Sequence, residues 1–167
     1  TCSDPQAVFV FPAGTGLGGN EVMLGNGTHG FLLDTRVTGD LTVTVRVSDG
    51  SGHSVQRQCT VTSRYPKFSA MIRTMSSAAL YSDSPMTLII RSTEYAGDYT
   101  VSYTTTSTNC RVSYGGSMLR PDSPVTLEAG QHIFTANSSY AERTEFVFTI
   151  TDIYGQSQQA QASITWR

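Results

Sequence analysis

The end of this chain repeats its beginning. Leu24, Gly27, His29 and Phe31 recur as Leu127, Gly130, His132 and Phe134, each 103 positions later (132 − 29). The same offset carries Asp49 onto Asp152, Gly52 onto Gly155, Ser54 onto Ser157, Gln56 onto Gln159, Gln58 onto Gln161 and Thr62 onto Thr165. Val43, Val45 and Val47 fall on Phe146, Phe148 and Ile150, so the apolar pattern moves with the same step. Such a period is longer than the roughly 20–50 residues of solenoid units and matches one small domain. The sequence therefore predicts a tandem array of one module.

The expected division is residues 1–63, an N-terminally truncated module, and residues 64–167, a complete one. To match the second copy, the first would begin about three dozen residues before Thr1. Two expectations follow: a fragment of a longer array, or a first module that takes strands from elsewhere. Thr62-Ser-Arg-Tyr-Pro66 forms the junction, too short to let two modules tumble freely.

Apolar residues alternate with period two, as in half-buried strands. Leu41, Val43, Val45 and Val47 share one face, with Thr42, Thr44, Arg46 and Ser48 on the other, and Glu145–Thr151 behaves alike. Both runs end in an Asp-x-x-Gly turn, Asp49–Gly52 and Asp152–Gly155, in which Asp bonds nearby backbone and Gly accepts positive φ. Return strands are expected over Val55–Thr62 and Gln158–Trp166. In the second copy, further short strands are expected at Phe68–Arg73, Met86–Ser92, Tyr99–Thr105, Arg111–Tyr114, Val125–Leu127 and His132–Ala136, with turns at Ser84-Pro85 and Ala96-Gly-Asp98. Many short strands with frequent breaks and no helical period define the expected fold class: all-β, tandem immunoglobulin-like antiparallel β-sandwiches. The Cys…Trp…Cys pattern of antibody domains is absent.

Charged residues make up 14% of the chain, below the average of about 25%, and Lys67 is the sole lysine. This composition suits an extracellular, cell-surface or periplasmic β protein. A net charge of −2 supplies no electrostatic footprint for nucleic acid, and no apolar run is long enough for a membrane-spanning helix. Neither nucleic-acid binding nor direct membrane insertion is expected. Cys59, whose counterpart is Ala162, is expected as a buried small hydrophobe, with a Cys2–Cys59 bridge as the alternative.

Candidate sites yield little. Gly14-Thr-Gly-Leu-Gly-Gly19 has the spacing of a dinucleotide fingerprint, but no helical pattern follows to hold a pyrophosphate, so an inter-strand loop is expected. His29 and His132, at matched positions, suit a structural bond to a turn better than catalysis. Asp40, Asp49 and Asp152 are too scattered for calcium, and three cysteines without CxxC spacing do not build a zinc site. No nucleophile elbow appears. No catalytic, cofactor-binding or metal-binding residue is assigned, and no cofactor is expected. Tyr95, Tyr99, Tyr103, Tyr114 and Tyr154 are read first as sandwich core, and alternatively as a glycan- or protein-binding face.

Two resemblances attach to these motifs. Val43–Gly52 resembles the last hairpin of bacterial surface modules such as the polycystic-kidney-disease type. Tyr99–Tyr103, Leu119–Pro121, Phe134–Ser139 and Phe146–Gln156 stand in the order and approximate spacing of a second family. Over roughly Met86–Trp166 the chain resembles the TraQ-type envelope proteins encoded by conjugative transposons of Bacteroidetes. That resemblance implies an immunoglobulin-like fold, export, an accessory role around a transfer apparatus, and no catalytic residues. The expectation is a non-enzymatic structural or interaction protein of the bacterial envelope or surface. Its expected partners are proteins of an envelope assembly or further copies of the same module; a carbohydrate-binding or adhesive module is the alternative.

Overall fold

A computed structural model describes residues 1–10, 15–18, 21–95 and 97–167, with 15–18 described by backbone alone. Two compact units divide at Tyr65/Pro66, within the expected junction.

The first unit, Thr1–Tyr65, contains β1 (Val8–Val10), β2 (Thr15–Gly18), β3 (Glu21–Met23), β4 (Leu32–Asp34), β5 (Gly39–Ser48) and β6 (Ser54–Ser63). They pair antiparallel as β1 with β4, β2 with β3, and β5 with β6. The β5–β6 hairpin runs in register from Gly39↔Ser63 to Ser48↔Ser54. Thr1–Ser3 adds to the free side of β5. The Thr44 N–H donates to Thr1 O, the Ser3 N–H to Thr42 O, and the Thr1 ammonium to Thr44 O.

The second unit, Pro66–Arg167, contains β7 (Phe68–Thr74), β8 (Ser77–Ala78), β9 (Ser84–Ser92), β10 (Tyr99–Thr105), β11 (Cys110–Tyr114), β12 (Ser117–Leu119), β13 (Val125–Leu127), β14 (Gly130–Ser138), β15 (Arg143–Thr151) and β16 (Ser157–Trp166). They form two five-stranded sheets, ordered β13-β10-β15-β16-β8 and β12-β11-β14-β9-β7. All pairings are antiparallel except β8 with β16. Every second residue of the long strands points inward. Met86, Leu88 and Ile90 of β9 and Phe134 and Ala136 of β14 thereby share one core with Tyr99, Val101, Tyr103, Phe146, Phe148, Ile150 and Trp166. Phe134 and Phe148, from opposite sheets, meet edge-to-face at 5.0 Å, and Tyr103 stacks on Phe148 at 5.9 Å. The unit is an antiparallel β-sandwich, and the all-β expectation holds throughout the described residues.

Several local expectations are corrected. The glycine-rich run expected as a loop carries a strand at Thr15–Gly18, paired with β3 through a register shift at Gly16/Gly18; Gly14, Gly19 and Asn20 lie outside the described residues. Backbone pairing with a neighbour decided this, because glycines carry no side-chain pattern to read. Ser84-Pro85, expected as a turn, opens β9 instead. Pro85 stands before the β7 pairing starts at Met86, where a missing N–H is tolerated. The short strands β8 and β12 were not expected. Ala96, in one expected turn, is outside the described residues.

Candidate interaction surfaces

The two units share local hydrogen bonds as well as residues at the 103-residue offset. In the first, Asp49 Oδ1 accepts from the Ser51 and His53 amides, both at 2.9 Å; in the second, Asp152 Oδ1 accepts from the Tyr154 and Gln156 amides, both at 2.9 Å. The Asp49 N–H donates to His53 O at 3.0 Å, and the Asp152 N–H to Gln156 O at 3.0 Å. Gly52 and Gly155 close these turns at φ 89° and 82°. His29 Nε2 donates to Gly25 O at 2.7 Å, and His132 Nε2 to Glu128 O at 2.9 Å. Both histidines thus hold turns, as their repetition suggested. His132 Nδ1 also accepts from the Tyr114 hydroxyl at 3.0 Å.

The tyrosines are mostly core. Tyr99 and Tyr103 are buried, and Tyr114 packs on Phe134 at 4.8 Å. Tyr95 bridges Tyr99 and Tyr154 at 5.6 and 6.0 Å, leaving the 38%-exposed Tyr154 at the rim of this cluster. Burial raises the Tyr95 phenol pKa, and the neighbouring Tyr154 adds to the rise. A Cβ at Gly97 would run into the Tyr95 ring, so a side chain there displaces that ring. An aromatic binding face therefore loses its two central members, Tyr99 and Tyr103, to the sandwich interior.

All three cysteines are free. Cys59 is exposed, contrary to expectation. Cys2 and Cys59 both pair with Val43, from opposite sides of β5. Two strand spacings put them about 10 Å apart, beyond disulfide reach. Cys110 is buried, which pushes its thiol up to about 11.

None of the resolved shifts favours acid–base work near neutrality. Asp49 is lowered, chiefly by its bond to His53, while burial raises Tyr95, Tyr103 and Cys110. Among the described residues, no three His, Cys, Asp or Glu side chains cluster as metal ligands. Among the described residues, no helix is long and apolar enough to cross a membrane.

What the molecule presents instead is sheet edge. In the second unit three of the four edge strands, β8, β12 and β13, span only two or three residues, a common guard against unwanted pairing. In the first unit the ten-residue β5 meets only Thr1–Ser3 on its free side among the described residues. Thr42 and Thr44 turn their amides toward that side, so the period-two alternation places the Arg46 and Ser48 amides on the same edge. The signal for this was available in the sequence: the 103-residue offset puts Cys2 on Thr105, the last residue of β10.

No family model and no curated protein matches the chain. Solved structures do. A conjugative transposon lipoprotein from Bacteroides eggerthii matches with a TM-score of 0.51 and 13% identity, over 60% of this chain and 98% of its own. A lipoprotein from Bacteroides thetaiotaomicron matches with a TM-score of 0.51 and 18% identity, over 63% of this chain and 83% of its own. At these identities the likeness is one of fold. The share of this chain matched is close to the size of the Pro66–Arg167 unit.

Proposed function

We propose that this chain is a non-enzymatic component of a bacterial envelope, built from repeated immunoglobulin-like sandwiches and serving a transfer or secretion assembly through protein contacts. The observation that carries this reading is the fold likeness to the B. eggerthii conjugative transposon lipoprotein over nearly that protein's whole length. It agrees with the motif resemblance to TraQ-type envelope proteins over Met86–Trp166. Strand order supports the immunoglobulin type. The run β7-β9-β14-β11 follows the A-B-E-D order of that fold, and β10-β15-β16 follows C-F-G. The copied registers and turn bonds support the reading of residues 1–63 and 64–167 as two copies of one module.

A cross-linked pull-down of the native protein from envelope fractions, read by mass spectrometry, tests the role. Recovery of transfer or secretion proteins is the expected result. Recovery of glycans or host-surface proteins alone overturns it in favour of the adhesive alternative.

A further inference from the structure

The two outer faces of the second sandwich carry charge differently. Strands β7, β9, β11, β12 and β14 contain no aspartate or glutamate, and their basic residues besides His132 are Arg73, Arg91 and Arg111. All three arginines are exposed and point outward, because their strand neighbours Ile72, Ile90 and Val112 point into the core. Among the described residues, no carboxylate pairs with any of them. The outer face of the other sheet is mostly threonine, serine and glutamine, such as Thr100, Thr149 and Gln161. Its two charges cancel, with Arg143 Nη2 at 3.5 Å from Glu145 Oε1.

An apolar stripe crosses the cationic face. Register sets Met71 beside Ile89 and Ile133 beside Thr87, while Met118 lies beside Ser113, which pairs with Thr135. Met71, Ile89, Ile133 and Met118 therefore run obliquely from β7 to β12, a width of about 19 Å at the usual strand spacing. Met71, Ile133 and Met118 are 42%, 63% and 60% exposed. Ile89 is 5% exposed yet stands outside the core cluster, so neighbours on the outer face close over it. The arginines border the stripe on both sides. Arg91 follows Ile89 along β9 on one side, and Arg73 and Arg111 flank the other, with Arg111 opposite Asn137.

We propose that this face docks an acidic amphipathic helix of a partner protein. The helix lays its apolar side chains along Met71, Ile133 and Met118 and sets aspartates or glutamates against Arg73, Arg91 and Arg111. Unpaired guanidinium forks match carboxylates bidentately, which fixes the charge of the occupant. Strands β9, β14 and β11 beneath the stripe are paired on both sides, so side chains hold the occupant and strand addition does not. A stripe one side chain wide suits a helix, and about 13 helical residues span that width. Exposed Asp83 and Glu128 stand just before β9 and β14, at opposite ends of the sheet. A flat anionic bilayer would meet both carboxylates, whereas a helix passes between them. The inference rests on the reading of a protein that works through protein contacts, and it names the surface and the partner's chemistry.

The test titrates a stapled synthetic helix, with one leucine stripe and glutamates along both margins, into Thr1–Arg167 and follows the methyl NMR signals of Met71, Ile89 and Ile133. Those signals shift, and raised salt weakens binding. Ile133→Asp and the Arg73→Glu/Arg91→Glu double variant each weaken binding roughly tenfold or more, as does lysine in place of the peptide's glutamates. Both variants keep the wild-type melting temperature by circular dichroism, because the altered side chains are already in water. Unshifted signals, or equal affinity in the variants or for the lysine peptide, overturn the proposal. So does tighter binding to phosphatidylglycerol vesicles than to the peptide, and so does a dimer of the chain that Ile133→Asp dissolves, which makes a second copy the occupant. In the envelope pull-down, equal recovery of transfer or secretion proteins by wild type and Ile133→Asp overturns the docking face and leaves the envelope role. Peptide binding as expected, with no such protein recovered, supports the face and overturns the role.

Discussion

His53 Nδ1 donates to Asp49 Oδ2 at 3.0 Å, in the place where Gln156 Nε2 donates to Asp152 Oδ2 at 2.7 Å. One turn is thus built twice, with an imidazole in one copy and an amide in the other. The amide version reaches further: Gln156 Nε2 also donates to Pro66 O at 3.0 Å, anchoring the start of its own unit.

The bond to His53 holds the Asp49 carboxyl below the ordinary aspartate value of about 3.9. A lowered folded pKa means that the stabilisation is present above the unfolded value and is lost as pH falls through the folded one. NMR titration should place Asp49 below its midpoint in His53→Ala, with the difference shrinking at high salt because the pair is exposed.

Trp166 Nε1 donates to Thr144 Oγ1 at 3.1 Å inside the core. Thr144→Val keeps the shape and leaves a buried indole N–H without its acceptor. The expected cost is about 1–3 kcal/mol, read from urea denaturation followed by circular dichroism. Adding Trp166→Phe removes the orphaned donor, so the double variant should lose less than the two single losses combined.

Phe148 and Val45 occupy equivalent positions in opposite circumstances. Phe148→Ala opens a cavity between the sheets and should destabilise the second unit by about 3–5 kcal/mol. Val45→Ala in Thr1–Arg167 should cost below about 1 kcal/mol by circular dichroism, since Val45 is already partly in water.

The cysteines should separate under alkylation. Exposed Cys59 reacts in the native protein at pH 8, whereas buried Cys110, held at about 11, reacts only on unfolding. Because the folded thiol is the weaker acid, its burial favours the native state below the unfolded value of about 8.5. That contribution declines as pH rises from there toward 11. Mass spectrometry of labelled peptides at pH 8 checks the difference in reactivity.

The alternation of Leu41–Ser48 and Glu145–Thr151 and the two Asp-x-x-Gly turns were legible from residue order alone, because strand period and turn chemistry are local properties. So was the repetition of residues at the 103-residue offset, which the matching turn bonds of His29 and His132 follow. Burial was not legible, because it depends on which strands lie alongside. Cys59 has the pattern of a core position and is exposed, and Tyr99 and Tyr103 could have formed a binding face but lie inside the sandwich. β8 is two residues long and exists only through its parallel pairing with Thr165 and Trp166. The sequence by itself determined the fold class, the repeat and the turns, since each is written in spacing along the chain. Only the tertiary structure decided which apolar faces are covered and where the edge of β5 stands open, since both depend on strands brought together from distant parts of the chain.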